Sequence, residues 1–330
     1  MYVELAERAN GPIPRPVGFS YIWGDALEEL AQTGPDARII NLETSITRSD
    51  DYCRDKGINY RMHPDNVPCI TAARIDCCVL ANNHVLDYGS AGLIETIETL
   101  ARAGVSRAGA GRDLAEARAP AVIEIPSKGR VVVFAFGMES SGIPPNWAAA
   151  EERAGVNLLE DLSEGTVARI RDTVRKVKGP RDVVVASIHW GGNWGFGVPE
   201  EHVRFGHGLV QAGVDLVHGH SSHHVRPIEV FEGKLIVYGC GDFLDDYEGI
   251  TGYEEFRDDL TLMYFPTVDV FTGRLVDLHM TPMQIRQFKA NRASREGAGW
   301  LRDTINRESR TFGFRVELRE DHRRRELRLV

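Results

Sequence analysis

The sequence predicts an α/β protein built on a layered, mixed β-sheet. Short apolar runs alternate with helix-like stretches along the first part of the chain, a pattern typical of strands joined by crossover helices. Later apolar runs follow one another across short turns, as the strands of antiparallel hairpins do. With 330 residues, 42% of them hydrophobic, the chain can form one large domain, or one domain with a small appendage.

In the first half, the apolar runs of ARIINLE and DCCVLANN predict two buried strands. An amphipathic helix is predicted over SAGLIETIETLARAG, because Leu93, Ile97 and Leu100 recur at helical spacing and Gly104 can cap the end of the helix. The segment AVIEIPSKGRVVVFAFG predicts a hairpin with Ser-Lys-Gly at its turn.

The second half continues the alternation and then changes to hairpins. The expected elements, in chain order, are a charged helix over 162–177, a strand over 183–188, a helix over PEEHVRFGHGLVQAG, a strand at DLVHGH, hairpins at IEVF with KLIVY and at TLMYFPTVDVFTGRLVDLHM, and a helix near 297–308. The Arg-rich end, FRVELREDHRRRELRLV, predicts a closing hairpin or a small appendage. No low-complexity linker marks a domain boundary.

Charge and cysteine usage exclude several classes of partner. A net charge of −9 argues against non-specific nucleic-acid binding and against an anionic membrane partner. Five cysteines, two of them adjacent in IDCCVLA, suit neither a disulfide framework nor a zinc knuckle, so we expect buried free thiols in a reducing compartment. No apolar run approaches the ~18–20 residues of a membrane helix, and the first residues do not resemble a signal peptide. These features predict a soluble, cytoplasmic protein.

Histidines concentrate in one stretch of the chain. Seven of the eleven fall between His189 and His224, and imidazole is the commonest protein ligand of transition metals. Two of the seven, His202 and His207, lie on the predicted helix and are expected to pack or to face solvent instead. The other histidines indicate a metal site.

Polar side chains with ligand atoms follow four predicted strands, where each apolar run stops. They are Glu43 after ARII, Asn83 and His84 after CCVL, His189 after VVVASI, and His220 and His223 after DLVH. Because sites in α/β sheets gather outside the carboxyl ends of strands, we expect these groups to lie together. A carboxylate, an amide oxygen and several imidazoles suit one or two divalent metal ions, with Mn, Fe or Zn fitting this donor set best.

The segment HWGGNWG, His189 to Gly195, has a composition more typical of a site than of a core. We expect Trp190 and Trp194 to line a pocket, while the glycines let the backbone approach a substrate. The alternative is that the two rings cap a sheet edge. Arg226 either binds a carboxylate or phosphate of the substrate or pairs with Glu229.

In their order along the chain, NLETSIT, ANNHVLDYG, the HWG segment and GHSSHHVRPIEVFEGKLIVYGCGDF resemble the CapA family of bacterial capsule and poly-γ-glutamate synthesis proteins. The resemblance runs from about Asp36 to Asp242. It implies a calcineurin-like metallophosphatase fold, with a CapA-like domain over residues 1–290 and a C-terminal helix and hairpin extension over 291–330 that packs on the same domain.

The resemblance also implies roles for individual residues. His84 and Asp87 are the catalytic candidates: His84 would stabilise an oxyanion or phosphoryl-like group, and Asp87, with Tyr88, would support its loop. The implied metal ligands are Glu43, Asn83, His189, His220 and His223. Asp242 stands where the family usually has Asn, and the substrate-binding candidates are Trp190, Trp194, Arg226 and Asp242.

One feature of the family is not found. The family opens with a strand that ends in Gly-Asp, and this Asp supplies the first metal ligand. The nearest match, Gly24-Asp25, opens a helix-like stretch instead of closing an apolar strand. Two explanations stay open: the first strand lies upstream of Met1, or this member has lost one metal position.

The leading hypothesis is a metal-dependent hydrolase that acts on a phosphoester or a γ-glutamyl-type amide. The alternative is a non-catalytic accessory protein of poly-γ-glutamate or capsule synthesis that binds the polymer or a synthase partner. The expected partner is therefore a small-molecule or glutamyl-polymer substrate. The sequence does not define an oligomeric state.

Overall fold

The computed structural model describes residues 2–248, 250–320 and 324–330. The helices of this part are α1 Tyr2–Asn10, α2 Ala26–Thr33, α3 Pro68–Ala72, α4 Gly89–Arg102, α5 Leu114–Arg118, α6 Glu164–Val177, α7 Glu200–Gln211 and α8 Arg295–Glu308. The strands are β1 Ile39–Asn41, β2 Ser45–Ile46, β3 Arg61–Met62, β4 Cys77–Val79, β5 Ser106–Ala108, β6 Ala110–Gly111, β7 Ala121–Ile125, β8 Gly129–Gly137, β9 Gly155–Val156, β10 Asp182–His189, β11 Leu216–His220, β12 Ile228–Phe231, β13 Lys234–Val237, β14 Leu260–Val268, β15 Leu275–Ile285, β16 Ala290–Arg292, β17 Val316–Glu320 and β18 Arg325–Leu329.

The largest sheet has six strands in the order β12-β13-β11-β10-β8-β7. Its four middle strands are parallel, and the edge strands β12 and β7 are antiparallel to their neighbours. Every residue of β10 is buried, as expected of a parallel strand covered on both faces. One face of this sheet packs on α6 and α7 through Val174, Phe205 and Leu209.

A smaller parallel sheet, β1-β4-β5, packs against the other face of the large sheet. Val79 and Ala108 of the small sheet share one buried cluster with Val133 and Val185 of the large one. The outer face of the small sheet is covered by α4, whose apolar residues Leu93, Ile97 and Leu100 are fully buried. Helices therefore cover both outer faces of two packed sheets, which confirms the predicted mixed α/β class.

A third, antiparallel sheet has the order β14-β15-β18-β17, with β16 paired to β15. Helix α8 packs on it, and a shared apolar cluster joins it to β12 and β13. Because β18 pairs with β15, the predicted C-terminal segment 291–330 shares a sheet with strands that precede it. The turn of the predicted closing hairpin, at 321–323, lies outside the described residues.

Several smaller expectations have clear outcomes. Gly104 follows α4 with a φ of +72°, as a capping glycine does. Gly24-Asp25 leads into α2, where a carboxylate oxygen of Asp25 accepts a hydrogen bond from the backbone N–H of Arg292. All five cysteines are free, and Cys77 and Cys78 are buried. Within the described ranges, none of the helices combines the length and the apolar character needed to cross a bilayer.

Candidate functional site

The predicted ligand residues lie together where the carboxyl ends of four parallel strands meet. His189 ends β10 and His220 ends β11, and the two residues lie opposite each other in the parallel register. Glu43 follows β1, and Asn83 follows β4 in the adjoining sheet. Both come within contact distance of His189, so the two sheets contribute to one site.

One ring nitrogen of His189 lies near an oxygen of Asn83 and an oxygen of Glu43, at distances close to those between donor atoms that share one metal ion. His189 Nε2 lies 3.2 Å from Asn83 Oδ1 and 3.6 Å from Glu43 Oε1. Atoms that bind one ion at about 2.0–2.2 Å lie roughly 3.0–3.5 Å from one another. Among the described residues no three His, Cys, Asp or Glu side chains are grouped as a metal site, so this donor set depends on the Asn83 amide. The residues present fit a divalent ion through a mixed N and O donor set.

His220 contacts the edge of the His189 ring that is opposite to Asn83 and Glu43. Its Nδ1 is 2.7 Å from Nδ1 of His189, and its Nε2 is 2.9 Å from Oγ of Ser187. Ser187 in turn lies 3.0 Å from Nδ1 of His218. His189 therefore uses opposite ring edges for His220 and for Asn83, and His220 cannot share an ion with Asn83 unless the His189 ring turns.

These histidines are neutral in the folded protein. Burial, followed by the charges of neighbouring groups, lowers the pKa of His189 to about 3. Burial likewise lowers the pKa of His218 to about 4 and that of His220 well below its usual value. Neutral imidazole is the form that binds metal, because its lone pair is available.

His223 has a different environment. Its Nδ1 lies 2.7 Å from Oδ2 of Asp242, and the Tyr247 hydroxyl donates a hydrogen bond of 3.1 Å to the same oxygen. Burial lowers the pKa of His223, but the hydrogen bond and charge of Asp242, with the charge of Glu43, outweigh it and raise the pKa to about 9. Burial and the charge of Asp242 also raise the pKa of Glu43 to about 7.

His84 is held by a fully buried carboxylate. Its Nδ1 lies 2.7 Å from Oδ2 of Asp87, which also accepts a 2.6 Å hydrogen bond from the backbone N–H of Tyr60. Lys56 Nζ lies 2.5 Å from Oδ1 of Asp87 and also donates to the backbone carbonyl of Asn83. Because Nδ1–H of His84 donates its hydrogen bond to Asp87, Nε2 is the ring nitrogen of His84 available to a substrate. Burial lowers the pKa of His84, and the nearby Lys56 charge acts in the same direction.

Sequence reasoning missed Lys56, Tyr60 and Ser187. Lys56 and Tyr60 come from the polar stretch DDYCRDKGINY, which carries neither a periodic pattern nor a recognisable motif. Ser187 sits inside an apolar strand, where its alternation with His189 on one strand face was the available signal.

The expectation that Trp190 lines a pocket is corrected by its position. Its side chain is buried, stacks on His202 at an interplanar angle of 9°, and donates its indole N–H to the carbonyl of Tyr238. Trp190 is a core residue, and His202 packs as predicted. Trp194 is half-buried, with its ring between those of Tyr253 and His224, and its centroid lies 5.5 Å from that of His223. Of the two tryptophans, Trp194 is therefore the one that lies at the edge of the site.

Arg226 does not pair with Glu229, which was one of its two expected roles. Its guanidinium is buried and donates to the backbone carbonyls of Gly192 and Trp194. Glu229 instead accepts from the Tyr238 hydroxyl and contacts His207. Arg226 therefore fixes the shape of the loop between His189 and Gly195, because it binds two of the loop's carbonyls.

Comparisons with known proteins identify the family of the chain. The family model of the bacterial capsule synthesis protein PGA_cap matches residues 3–247, which include all of the predicted metal-binding and catalytic residues. The "Probable polyglutamine synthesis accessory protein" of two Mycobacterium tuberculosis strains is 48% identical over 322 residues, 97% of this chain and 85% of that protein. The "PGA biosynthesis protein CapA" of Bacillus subtilis is 27% identical over 254 residues, 75% of this chain and 63% of that protein. The chain therefore belongs to the CapA family of bacterial capsule synthesis proteins.

Proposed function

We propose that this protein is a metal-dependent hydrolase with a metallophosphatase-like arrangement of its two sheets, acting on a phosphoester or a γ-glutamyl-type amide. The observation that carries the proposal is the spacing of His189 Nε2, Asn83 Oδ1 and Glu43 Oε1, which suits a shared divalent ion. The site is built from strand ends of both sheets, where enzymes of this architecture place their chemistry.

Glu43, Asn83 and His189 would hold the ion, with Mn, Fe or Zn as candidates. His223, next to Glu43, and His220, after a turn of the His189 ring, are the residues available for a fuller coordination shell or a second ion. When bound, a divalent ion lowers the pKa of a water molecule and polarises the P–O or C–N centre that is to be cleaved.

His84 and Asp87 supply the proposed acid–base and electrostatic groups. Asp87 holds Nδ1–H of His84, so that Nε2 can exchange a proton with the reacting group or donate a hydrogen bond to developing charge when protonated. Lys56 balances the charge of Asp87 in a buried setting and binds the carbonyl of Asn83, which holds the Asn-His loop in place.

The proposed substrate is a small molecule or a glutamyl polymer that reaches the site beside Trp194. Free cysteines and an acidic overall charge support a cytoplasmic location and argue against nucleic acid as the substrate. Arg226 stays a candidate contact for an anionic group of the substrate, although its Nη2 binds the carbonyls of Gly192 and Trp194.

The test is metal loading followed by hydrolysis assays. Purified protein is stripped with a chelator, reloaded with Mn²⁺, Fe²⁺ or Zn²⁺, and assayed on bis-p-nitrophenyl phosphate, p-nitrophenyl phosphate and γ-glutamyl-p-nitroanilide. We expect at least one bound ion per chain and metal-dependent hydrolysis that Asn83→Ala and His84→Ala reduce at least 100-fold. His207→Ala, at a partly buried position of α7 outside the proposed ligand set, is the matched control and should retain activity. A chain that holds no metal under any of these conditions contradicts the proposal.

A second candidate is a non-catalytic accessory protein of poly-γ-glutamate or capsule synthesis. It is supported by the name "Probable polyglutamine synthesis accessory protein" of the Mycobacterium tuberculosis relatives. The discriminating measurement is binding of poly-γ-glutamate to the stripped and reloaded protein. Retained polymer binding by metal-free protein, without hydrolysis after loading, would favour this candidate over the hydrolase.

A further inference from the structure

We propose that Asp242 is a positioning residue that acts through His223, and not a group that contacts the substrate. The inference rests on the proposed function, because His223 is one of the residues available to bind metal there. Asp242 contacts Nδ1 of His223, whereas a metal ion or a substrate would bind the other ring nitrogen, Nε2.

The contact between the two side chains defines which ring nitrogen can serve as a ligand. Oδ2 of Asp242 accepts the hydrogen bond from Nδ1 of His223 at 2.7 Å, and the Tyr247 hydroxyl donates to the same oxygen at 3.1 Å. Nδ1 is therefore occupied, and Nε2 is left for metal or substrate. Metal-binding histidines ordinarily donate their second N–H to a carboxylate, which orients the ring and makes its free nitrogen more basic.

The fold holds the two loops that carry this pair directly against each other. Val225, two residues after His223, and Cys240, two residues before Asp242, form an antiparallel bridge. Gly241 has a φ of +76°, and a Cβ there would lie 3.1 Å from the backbone carbon of His224 and the backbone nitrogen of Val225. A side chain there would press on the neighbouring loop and strain the backbone at this positive φ, so Gly241 favours the close approach of Asp242 to His223.

The pair is also shielded from solvent, which strengthens a charge-assisted hydrogen bond. The side chains of His223 and Asp242 are 15% and 19% exposed. Trp194 contributes to the shielding, because its ring lies beside that of His223. An Asp242 oxygen that is engaged by His223 and Tyr247 is poorly placed to bind a substrate group as well.

The first arm of the test uses metal-free protein and does not depend on the proposed hydrolase. Imidazole ¹H–¹⁵N spectra are recorded for wild type, Asp242→Ala, Asp242→Asn and the neighbouring exposed control Asp246→Asn, with the His223 signals assigned from His223→Gln. We expect a strongly deshielded Nδ1 proton of His223 in wild type and Asp246→Asn. It should shift upfield in Asp242→Asn, which retains an acceptor, and disappear in Asp242→Ala. An unchanged His223 signal in Asp242→Ala overturns the proposal.

The second arm measures the Zn²⁺ and Mn²⁺ affinities of the same variants by competition with a chromogenic chelator. We expect Asp242→Ala to weaken binding about 10–100-fold, Asp242→Asn to weaken it less, and Asp246→Asn to match wild type. A lost His223 signal together with unchanged metal affinity also overturns the positioning role. If the wild type binds neither ion, the proposed hydrolase fails, and the His223 spectra alone decide whether Asp242 positions His223.

Discussion

The Nδ1 atoms of His189 and His220, which lie opposite each other at the ends of neighbouring parallel strands, are 2.7 Å apart. This contact uses the edge of the His189 ring that is turned away from Asn83 and Glu43. His220 therefore supports His189 from behind, and Ser187 and His218 extend the support along the same strand faces. The arrangement assigns different roles to two histidines that the sequence alone presents as equivalent ligands.

The first prediction concerns this difference. His189→Ala should abolish metal binding, because it removes a proposed ligand nitrogen, whereas His220→Ala should weaken it about 10–100-fold, as the loss of an orienting partner does. Elemental analysis and a competition titration measure both variants, with His207→Ala as the control for a histidine outside the site. Equal and complete loss in the two variants would mean that His220 binds the ion directly.

The second prediction concerns the buried ion pair of Lys56 and Asp87, whose carboxylate is fully buried. Lys56→Met should lower the free energy of unfolding by roughly 3 kcal/mol, because it leaves Asp87 buried without its cation. The double variant with Asp87→Asn should recover part of that loss. Urea unfolding of wild type, both single variants and the double variant gives the coupling energy.

The matched control for this double-mutant cycle is the ion pair of Lys128 and Asp36, in which both side chains are more than half exposed. Lys128→Met should change the free energy of unfolding by less than about 1 kcal/mol, since solvent screens an exposed pair. Additive single and double variants at Lys56 and Asp87 would show that the buried pair contributes no more than the exposed one.

The site residues at the strand ends could be predicted because each one follows an apolar run that is visible locally in the sequence. An apolar run followed by Glu43, by Asn83 or by His189 is visible within about ten residues of sequence, and the parallel order of the strands then brings the groups together. Lys56 could not be found in this way, because its partner Asp87 is 31 residues away and its own loop shows no periodic pattern.

The role of Trp190 also could not be predicted from the sequence, for a different reason. A tryptophan next to two glycines suits a pocket and a core equally well. The outcome depends on tertiary packing, since His202 from α7 stacks on its ring and Tyr238, directly after β13, lies nearly parallel to it. Arg226 is buried beneath the same loop, where its Nη2 donates to the carbonyls of Gly192 and Trp194.

The third prediction separates the two tryptophans. Trp190→Ala should lower the free energy of unfolding by about 3–5 kcal/mol, because it leaves a large cavity among α7, β10 and β11. Trp194→Ala should cost about 1 kcal/mol, the contribution of its partly exposed stack on Tyr253. Chemical unfolding of both variants provides the comparison. A larger loss for Trp194→Ala than for Trp190→Ala would contradict the core assignment of Trp190.

The last prediction concerns pH and His202, which stacks on Trp190 outside the proposed ligand set. Burial, and then the charge of Arg226, lower the pKa of His202 to about 4. The unfolded chain takes up a proton near pH 6.5, whereas the folded chain does not until about pH 4. Between these values the unfolded state binds more protons, so the stability falls as the pH falls. His223, whose pKa is raised to about 9, acts in the opposite sense, since its contribution is lost as the pH rises from about 6.5 to about 9.

His202→Phe keeps the stacking on Trp190 but removes the titrating group. As the pH falls from 6.5 to 4.5, the free energy of unfolding of metal-free His202→Phe should fall less steeply than that of wild type. The two slopes should differ by up to about 1.4 kcal/mol per pH unit. Phe205→Leu, which alters the same cluster without changing a titrating group, should lower the stability at every pH and leave the slope unchanged. Urea titrations at four pH values measure all three proteins. Equal slopes for wild type and His202→Phe would show that His202 is protonated in the folded state, which its burial against Trp190 opposes.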